Sequence, residues 1–216
     1  THPHPKIAFL NCLCLCLVLV NTASNRSVDE YKAQSVKPYD LTFGRFTVNS
    51  ADVAIAFGEN VKQYALSYGA LRKKIVTIPN GVDTEIFAPR PIQEKMLTFT
   101  VGYVGNLVHR KGVKYLIQGI HKLVPKYNLQ LRIVGDGPSK TELQALCSEL
   151  SLNKSVSFEG ALDKKLIPDF LCSIDVLVLP SLSEGMPTVV LEAMACGKAV
   201  IATDVGATKT VIDSPD

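Results

Sequence analysis

No stretch of this chain concentrates positive charge. Lys and Arg total 23 against 20 Asp and Glu, leaving a net charge of +3 spread over 216 residues without a long basic block. Sequence-independent binding to nucleic acid needs a concentrated basic face, so the expectation is of no nucleic-acid partner. A mildly basic chain suits anionic phosphate substrates better. Long apolar runs are also missing. Ile7 to Val20 is almost wholly apolar but only 14 residues long, short of the about 20 that a membrane-spanning helix needs. With Lys6 before it and Asn21 to Ser24 after it, the run imitates a signal-peptide core, while the plainer reading is a buried helix or strand. Charged residues are few at 20% and hydrophobic ones plentiful at 47%, which excludes disorder as the default.

Metal-binding patterns are absent too. Cys12, Cys14 and Cys16 alternate with leucines and would share one face of a strand. No His or second Cys pair stands at ligand spacing beside them, so they read as small hydrophobes and no metal site is expected. Cys147, Cys172 and Cys196 are scattered among apolar residues, as in a reducing compartment with unpaired thiols. There is no internal repeat, no low-complexity tract, no P-loop and no G-x-G-x-x-G.

What is present from residue 53 onward is alternation of strand and helix. Val53–Phe57 reads as a strand and Glu59–Tyr68 as a helix stopped by Gly69. Lys74–Ile78 is a strand broken by Pro79-Asn80-Gly81, and Phe87-Ala-Pro89-Arg-Pro91 is the best candidate for a linker. A second series follows: strands at 97–104, 129–134, 156–158, 176–179 and 199–202, and helices at 111–124, 139–152, 163–172 (entered or bent near Pro168) and 188–196. Apolar strands each followed by an amphipathic helix predict a parallel sheet covered on both faces, a Rossmann-like, doubly wound α/β plan with ligands at the carboxyl ends of the strands.

Two segments carry candidate chemistry. In Gly102-Tyr-Val-Gly105-Asn106-Leu-Val-His-Arg110-Lys111-Gly112, a strand ends in glycines and a helix is expected to begin near Lys111. Glycines admit a close backbone approach to phosphate, the helix start offers N–H donors, and Arg110 and Lys111 add full charges. The alternative is a tight strand-to-helix turn with two solvated cations. In Val176 to Gly197, a buried strand runs into a polar loop holding Glu184, Gly185, Met186 and Pro187, then a helix from Thr188 with Glu192 one turn in. Two carboxylates beside an anion-binding helix start make sense if they hydrogen-bond sugar hydroxyls; otherwise Glu192 is a solvated helix residue and Glu184 a loop acid.

The second segment resembles the E-x7-E signature of the family-4 (group 1) retaining glycosyltransferases, which have the GT-B fold. Ile78-Pro-Asn-Gly-Val-Asp83 with Phe87-Ala-Pro89 resembles that family's connection between domains. Val104 to Gly112 resembles its phosphate loop, and Leu131 to Pro138 the second strand of its donor domain. Phe158-Glu-Gly160 resembles its nucleobase loop, and Ala199 to Gly206 the strand after E-x7-E. The resemblance implies that Glu184 lies by the donor sugar and Glu192 holds the nucleotide ribose. It implies that Gly185, Met186, Pro187 and Thr188 contact sugar and phosphate, and that Gly105, Asn106, Arg110 and Lys111 serve the diphosphate. Asn106 stands where the family usually has an Arg; either Arg110 supplies the missing charge from another point or the site is weaker for it. No D-x-D occurs, so no metal and no separate cofactor are expected.

The implied partners are a nucleotide-sugar donor and an acceptor hydroxyl on a glycan, lipid or small molecule. Soluble sugar-nucleotide supply implies a cytoplasmic location, extending to peripheral association with a membrane surface. Residues 1–90 are expected to be the remnant of an acceptor-side domain with its linker. Residues 91–216 are expected to form a nucleotide-sugar-binding domain, incomplete at its end. Two other readings compete: a truncated, non-catalytic nucleotide-binding module, and a Rossmann oxidoreductase, against which the missing G-x-G-x-x-G argues.

Overall fold

The computed structural model describes residues 7–8, 46, 50–67, 69–90 and 98–212. The expectations for Cys12, Cys14, Cys16 and most of the Ile7–Val20 run lie outside the described residues. The chain divides into two compact units. One gathers the described residues up to Asn80 with Ser183–Met186 and the segment from Asp204 onward; the other comprises Gly81–Leu182 and Pro187–Thr203.

The first unit contains a parallel three-stranded sheet, ordered β1 (Ile7–Ala8), β2 (Val53–Ala56), β3 (Ile75–Thr77). Helix α1 (Glu59–Ser67) follows β2, and Gly69, at φ 85°, lies just beyond its end. Its first turn is tied by Glu59, which accepts from Lys62 Nζ at 2.9 Å.

The second unit is a five-stranded, wholly parallel sheet. Its strands are β4 (Phe99–Val104), β5 (Leu129–Val134), β6 (Val156–Gly160), β7 (Val176–Leu179) and β8 (Ala199–Ala202), in the spatial order β6-β5-β4-β7-β8. The expected doubly wound α/β plan is the observed one. Helices α2 (Val113–Leu123), α3 (Lys140–Glu149), α4 (Ile167–Ser173) and α5 (Thr188–Ala195) connect the strands, and α6 (Thr208–Ile212) belongs to the first unit. In α2 the apolar stripe is Val113, Leu116, Ile117 and Ile120, all buried, at the i, i+3, i+4, i+7 spacing of one helix face. The core is filled by Tyr103, Leu107, Leu131, Ile133, Leu171, Ile174, Leu177, Leu179 and Val190. None of the described helices is long and apolar enough to cross a membrane.

Three local differences from the sequence reading have clear causes. The expected helix 163–172 is split: Asp163 accepts from Lys165 N at 2.9 Å and caps a 3-10 turn, Lys164–Leu166, before α4. Pro168 then sits in the first turn of α4, where its missing N–H costs nothing. The helix expected from Lys111 begins at Val113, because Gly112 takes a left-handed φ of 66° and interrupts it. The proline-rich stretch at 87–90 lies within the second unit and packs into its core. Phe87 is 6% exposed and packs with Phe170, Leu171 and Cys196. Cys172 Sγ donates to the Ala88 carbonyl at 3.5 Å, and Arg90 pairs with Asp169.

Candidate functional site at the strand ends

The chain steps outward from β4 to β5 to β6, then returns to place β7 and β8 on the other side of β4. The order therefore reverses between β4 and β7, the switch point at which doubly wound sheets hold ligands. Pairing agrees with that geometry. β4 and β5 are in register over six positions, through Val104–Val134, whereas β4 and β7 pair only at Val101–Val176 and Gly102–Leu177. The ladder between β4 and β7 ends at those two pairs, and the loops that follow the two strands are joined by a main-chain bond described below.

The loop after β4 is built from main-chain contacts. Gly105 N donates to Val134 O at 3.0 Å, Leu107 N to Asp136 O at 2.8 Å, and Ser139 N to Leu107 O at 2.9 Å. A Cβ on Gly135, whose φ is 137°, would lie on top of the Gly105 carbonyl oxygen. Gly135 and Gly137 thus admit the backbone of the loop after β4 at Gly105 and Leu107, while a Cβ on Gly105 would press on the Tyr103 hydroxyl. Tyr103, fully buried, donates from its hydroxyl to Asn106 O at 3.1 Å and supports the loop from beneath.

His109–Lys111 forms a 3-10 turn, and the segment that holds it is bonded to the loop after β7: Leu182 N donates to Arg110 O at 2.8 Å. Arg110 and Lys111 are half-buried and Asn106 is exposed. Pro187 is the N-cap of α5 and supplies no capping hydrogen bond, leaving the amides of the first turn beginning at Thr188 without a side-chain cap. An uncapped helix start presents N–H donors and partial positive charge to an anion.

Glu192 lies half-buried on α5. Burial raises its carboxyl above the ordinary range, and the positive charge of Lys164 opposes the rise. The shift has a sign for stability. A carboxyl whose folded value is raised contributes fully only below its unfolded value, and that contribution is lost as pH rises through the folded value. Glu192→Gln, neutral throughout, is therefore expected to melt higher than the parent at pH 7, with the gap closing below about pH 4. Thermal melts at the two pH values check it; a gap that persists in acid would refute it.

Glu184, Gly185 and Met186 fall in the first unit. Glu184 is 8% exposed. Gly185 O accepts from Ala207 N at 2.9 Å, and Met186 Sδ accepts from Asn80 N at 3.2 Å. The buried hydroxyl of Thr208 finds no hydrogen-bond partner among the described residues. No group of three His, Cys, Asp or Glu side chains stands close enough to hold a metal ion among the described residues.

A family model described as Glycosyl transferases group 1 matches residues 98–216. An uncharacterized glycosyltransferase of Methanocaldococcus jannaschii is 36% identical over 119 residues, 55% of this chain and 30% of that protein. The 2-deoxystreptamine glucosyltransferase of Streptomyces kanamyceticus is 29% identical over 153 residues, 66% of this chain and 40% of its own length. Among solved structures, Anabaena HepE in complex with UDP-glucose superposes with a TM-score of 0.68 at 25% identity, covering 80% of this chain and 51% of that one. Sucrose-phosphate synthase from Thermosynechococcus elongatus gives 0.71 at 26%, covering 92% and 50%. The chain spans between 30% and 46% of the length of the curated relatives it matches.

Proposed function

The chain belongs to the group 1 glycosyltransferases, and from that premise we propose that it binds a nucleoside-diphosphate sugar and serves transfer of the sugar to an acceptor hydroxyl with retention of anomeric configuration. The observation that carries the reading is the seam at the switch point, where the main chain at Arg110 is bonded to Leu182 after β7, on the strand side of an uncapped helix start. In the proposed reaction the bond from the anomeric carbon to the diphosphate oxygen breaks. The sugar becomes oxocarbenium-like and negative charge grows on the leaving phosphate. Lys111, Arg110 and the first amides of α5 stabilise that charge as it develops, which is where electrostatic catalysis has most effect. Glu192 accepts from the ribose hydroxyls and Glu184 serves the donor sugar. Cations and amides supply the positive charge that a divalent ion would otherwise provide, so the proposal includes no metal. The donor domain is assigned to 91–216 and the acceptor side to 1–90.

Calorimetric titration of the chain with UDP, GDP, ADP and NAD in the presence of EDTA tests this. One nucleoside diphosphate is expected to bind and NAD to fail. Glu192→Gln is expected to weaken the bound nucleotide about tenfold, the worth of one hydrogen bond to a charged group. A folded chain that binds none of them, or binds NAD in preference, defeats the proposal; binding abolished by EDTA defeats its metal-free form.

A further inference from the structure

After the apolar strand β8 the sequence reads Thr203-Asp204-Val205-Gly206-Ala207, and the chain turns there before α6. Thr208 N donates to Val205 O at 3.2 Å and closes the turn over 205–208, and Val211 N then donates to Ala207 O at 3.2 Å as the helix begins. Gly206 holds the first central position of that turn with φ 61°, a conformation that favours glycine.

The glycine also faces another segment of the first unit. A Cβ built on it would lie on top of the carbonyl oxygen of Glu184 and 2.8 Å from that of Gly185. The next residue completes the contact, since Ala207 N donates to Gly185 O at 2.9 Å. Two consecutive carbonyls of the Glu184 loop are thus received by two consecutive residues of one turn. Both sides of this contact are main chain, so no rotamer change can relieve a misfit. The turn is packed from the end of β2 as well: a Cβ on Gly58, the residue before α1, would come 3.4 Å from Ala207 Cβ. Glu184 itself is buried, and a close-packed side chain has little freedom to correct a displaced backbone.

We propose that Gly206 is a positioning residue for Glu184: the 205–208 turn seats the Glu184 and Gly185 carbonyls where no side chain fits, and so sets the Glu184 carboxylate for the donor sugar. The inference rests on the reading of Glu184 as the group that serves that sugar. Gly206 itself touches no ligand. Its loss is felt by a sugar nucleotide and not by the nucleoside diphosphate alone, whose proposed contacts are Arg110, Lys111, Glu192 and the start of α5.

The test is calorimetric and uses the intact chain. Each sugar nucleotide is compared with its own nucleoside diphosphate: UDP-glucose with UDP, GDP-mannose with GDP, ADP-glucose with ADP. The ratio of the two affinities is the readout, because a general loss of fold lowers both. Glu184→Gln is expected to shift that ratio about tenfold against the sugar nucleotide, the worth of one hydrogen bond to a charged group. Gly206→Ala is expected to shift it about as far, with the nucleoside diphosphate within about twofold of the parent. Thr208→Val is the control in the same turn. Its buried hydroxyl has no hydrogen-bond partner among the described residues, so removing it is expected to leave the ratio unmoved and the melting temperature equal or higher. A ratio unmoved by Gly206→Ala, or moved as much by Thr208→Val, overturns the proposal. Should Gly206→Ala fail to fold, the ratio is read on a chain with lactate in place of Ala207, which removes only the N–H that Gly185 O accepts. A shift in the direction of Glu184→Gln then supports the proposal, and an unmoved ratio overturns it. If Glu184→Gln leaves the ratio unmoved, or the parent binds no nucleoside diphosphate, the reading of the donor site fails first and this inference falls with it.

Discussion

Gly112→Ala is expected to destabilise the second unit by on the order of 3 kcal/mol. Two costs add. Gly112 has φ 66°, a conformation that charges an L-residue about 1 kcal/mol. The new Cβ would also overlap the carbonyl oxygen of Pro180, a main-chain atom that cannot rotate away. Relief by a backbone shift is blocked on both sides. Gly112 N is held by His109 O at 3.0 Å, Gly112 O by Tyr115 N at 2.9 Å, and the neighbouring Arg110 O by Leu182 N. Calorimetry should show the transition fall by about 6–12 °C, given a few degrees per kcal/mol in a domain of this size. Gly119→Ala supplies the contrast. That glycine is exposed in the middle of α2, and a Cβ there meets nothing within 4 Å. The same substitution should stabilise by up to about 1 kcal/mol. If both variants melt alike, the steric argument at Gly112 is wrong.

Lys111→Ala should leave the fold almost unchanged and weaken the bound nucleoside diphosphate about ten- to a few-hundredfold. That range follows from about 1.5–3 kcal/mol for a hydrogen bond from a charged donor, at about 1.4 kcal/mol per factor of ten. Lys111 is half-buried, so its charge at the seam is less screened than that of a fully exposed lysine. Turnover should fall by a similar factor if the contact tightens as the diphosphate departs. Arg110→Ala leaves the Arg110 carbonyl bonded to Leu182 and isolates the contribution of the guanidinium. Affinity unchanged in Lys111→Ala would remove this residue from the proposed mechanism.

The helix stripe Val113, Leu116, Ile117 and Ile120 was legible because burial on one face imposes a period that sequence can display. So was the parallel sheet, whose strands are apolar along their whole length. The start of α2 was misplaced by two residues because Lys111 and Gly112 fit a helical pattern, and only the contact with Pro180 shows why Gly112 leaves it. The Phe87–Arg90 stretch had the composition of a spacer. Its docking depends on Phe170, Leu171 and Cys196, residues remote in sequence whose fit to Phe87 no local pattern encodes. A bulge in β6 at Glu159 was equally hidden, for the extra residue is visible only against the register of β5. What escaped the sequence reading was pairing across distance; what it captured was periodicity and turn chemistry.

The loop that follows β4 is tied down through amides and carbonyls at Gly105, Leu107, Arg110 and Gly112. A scaffold anchored this way does not ask much of the side chains that project from it. Asn106 and His109 are exposed there, and their exchange should carry little folding penalty, since surface substitutions away from special features usually stay within about 0.5 kcal/mol. Side chains on this loop are therefore exchangeable, one exposed position at a time, without first having to rescue the architecture. Asn106 is a side chain of that kind, exposed on a main-chain-anchored loop.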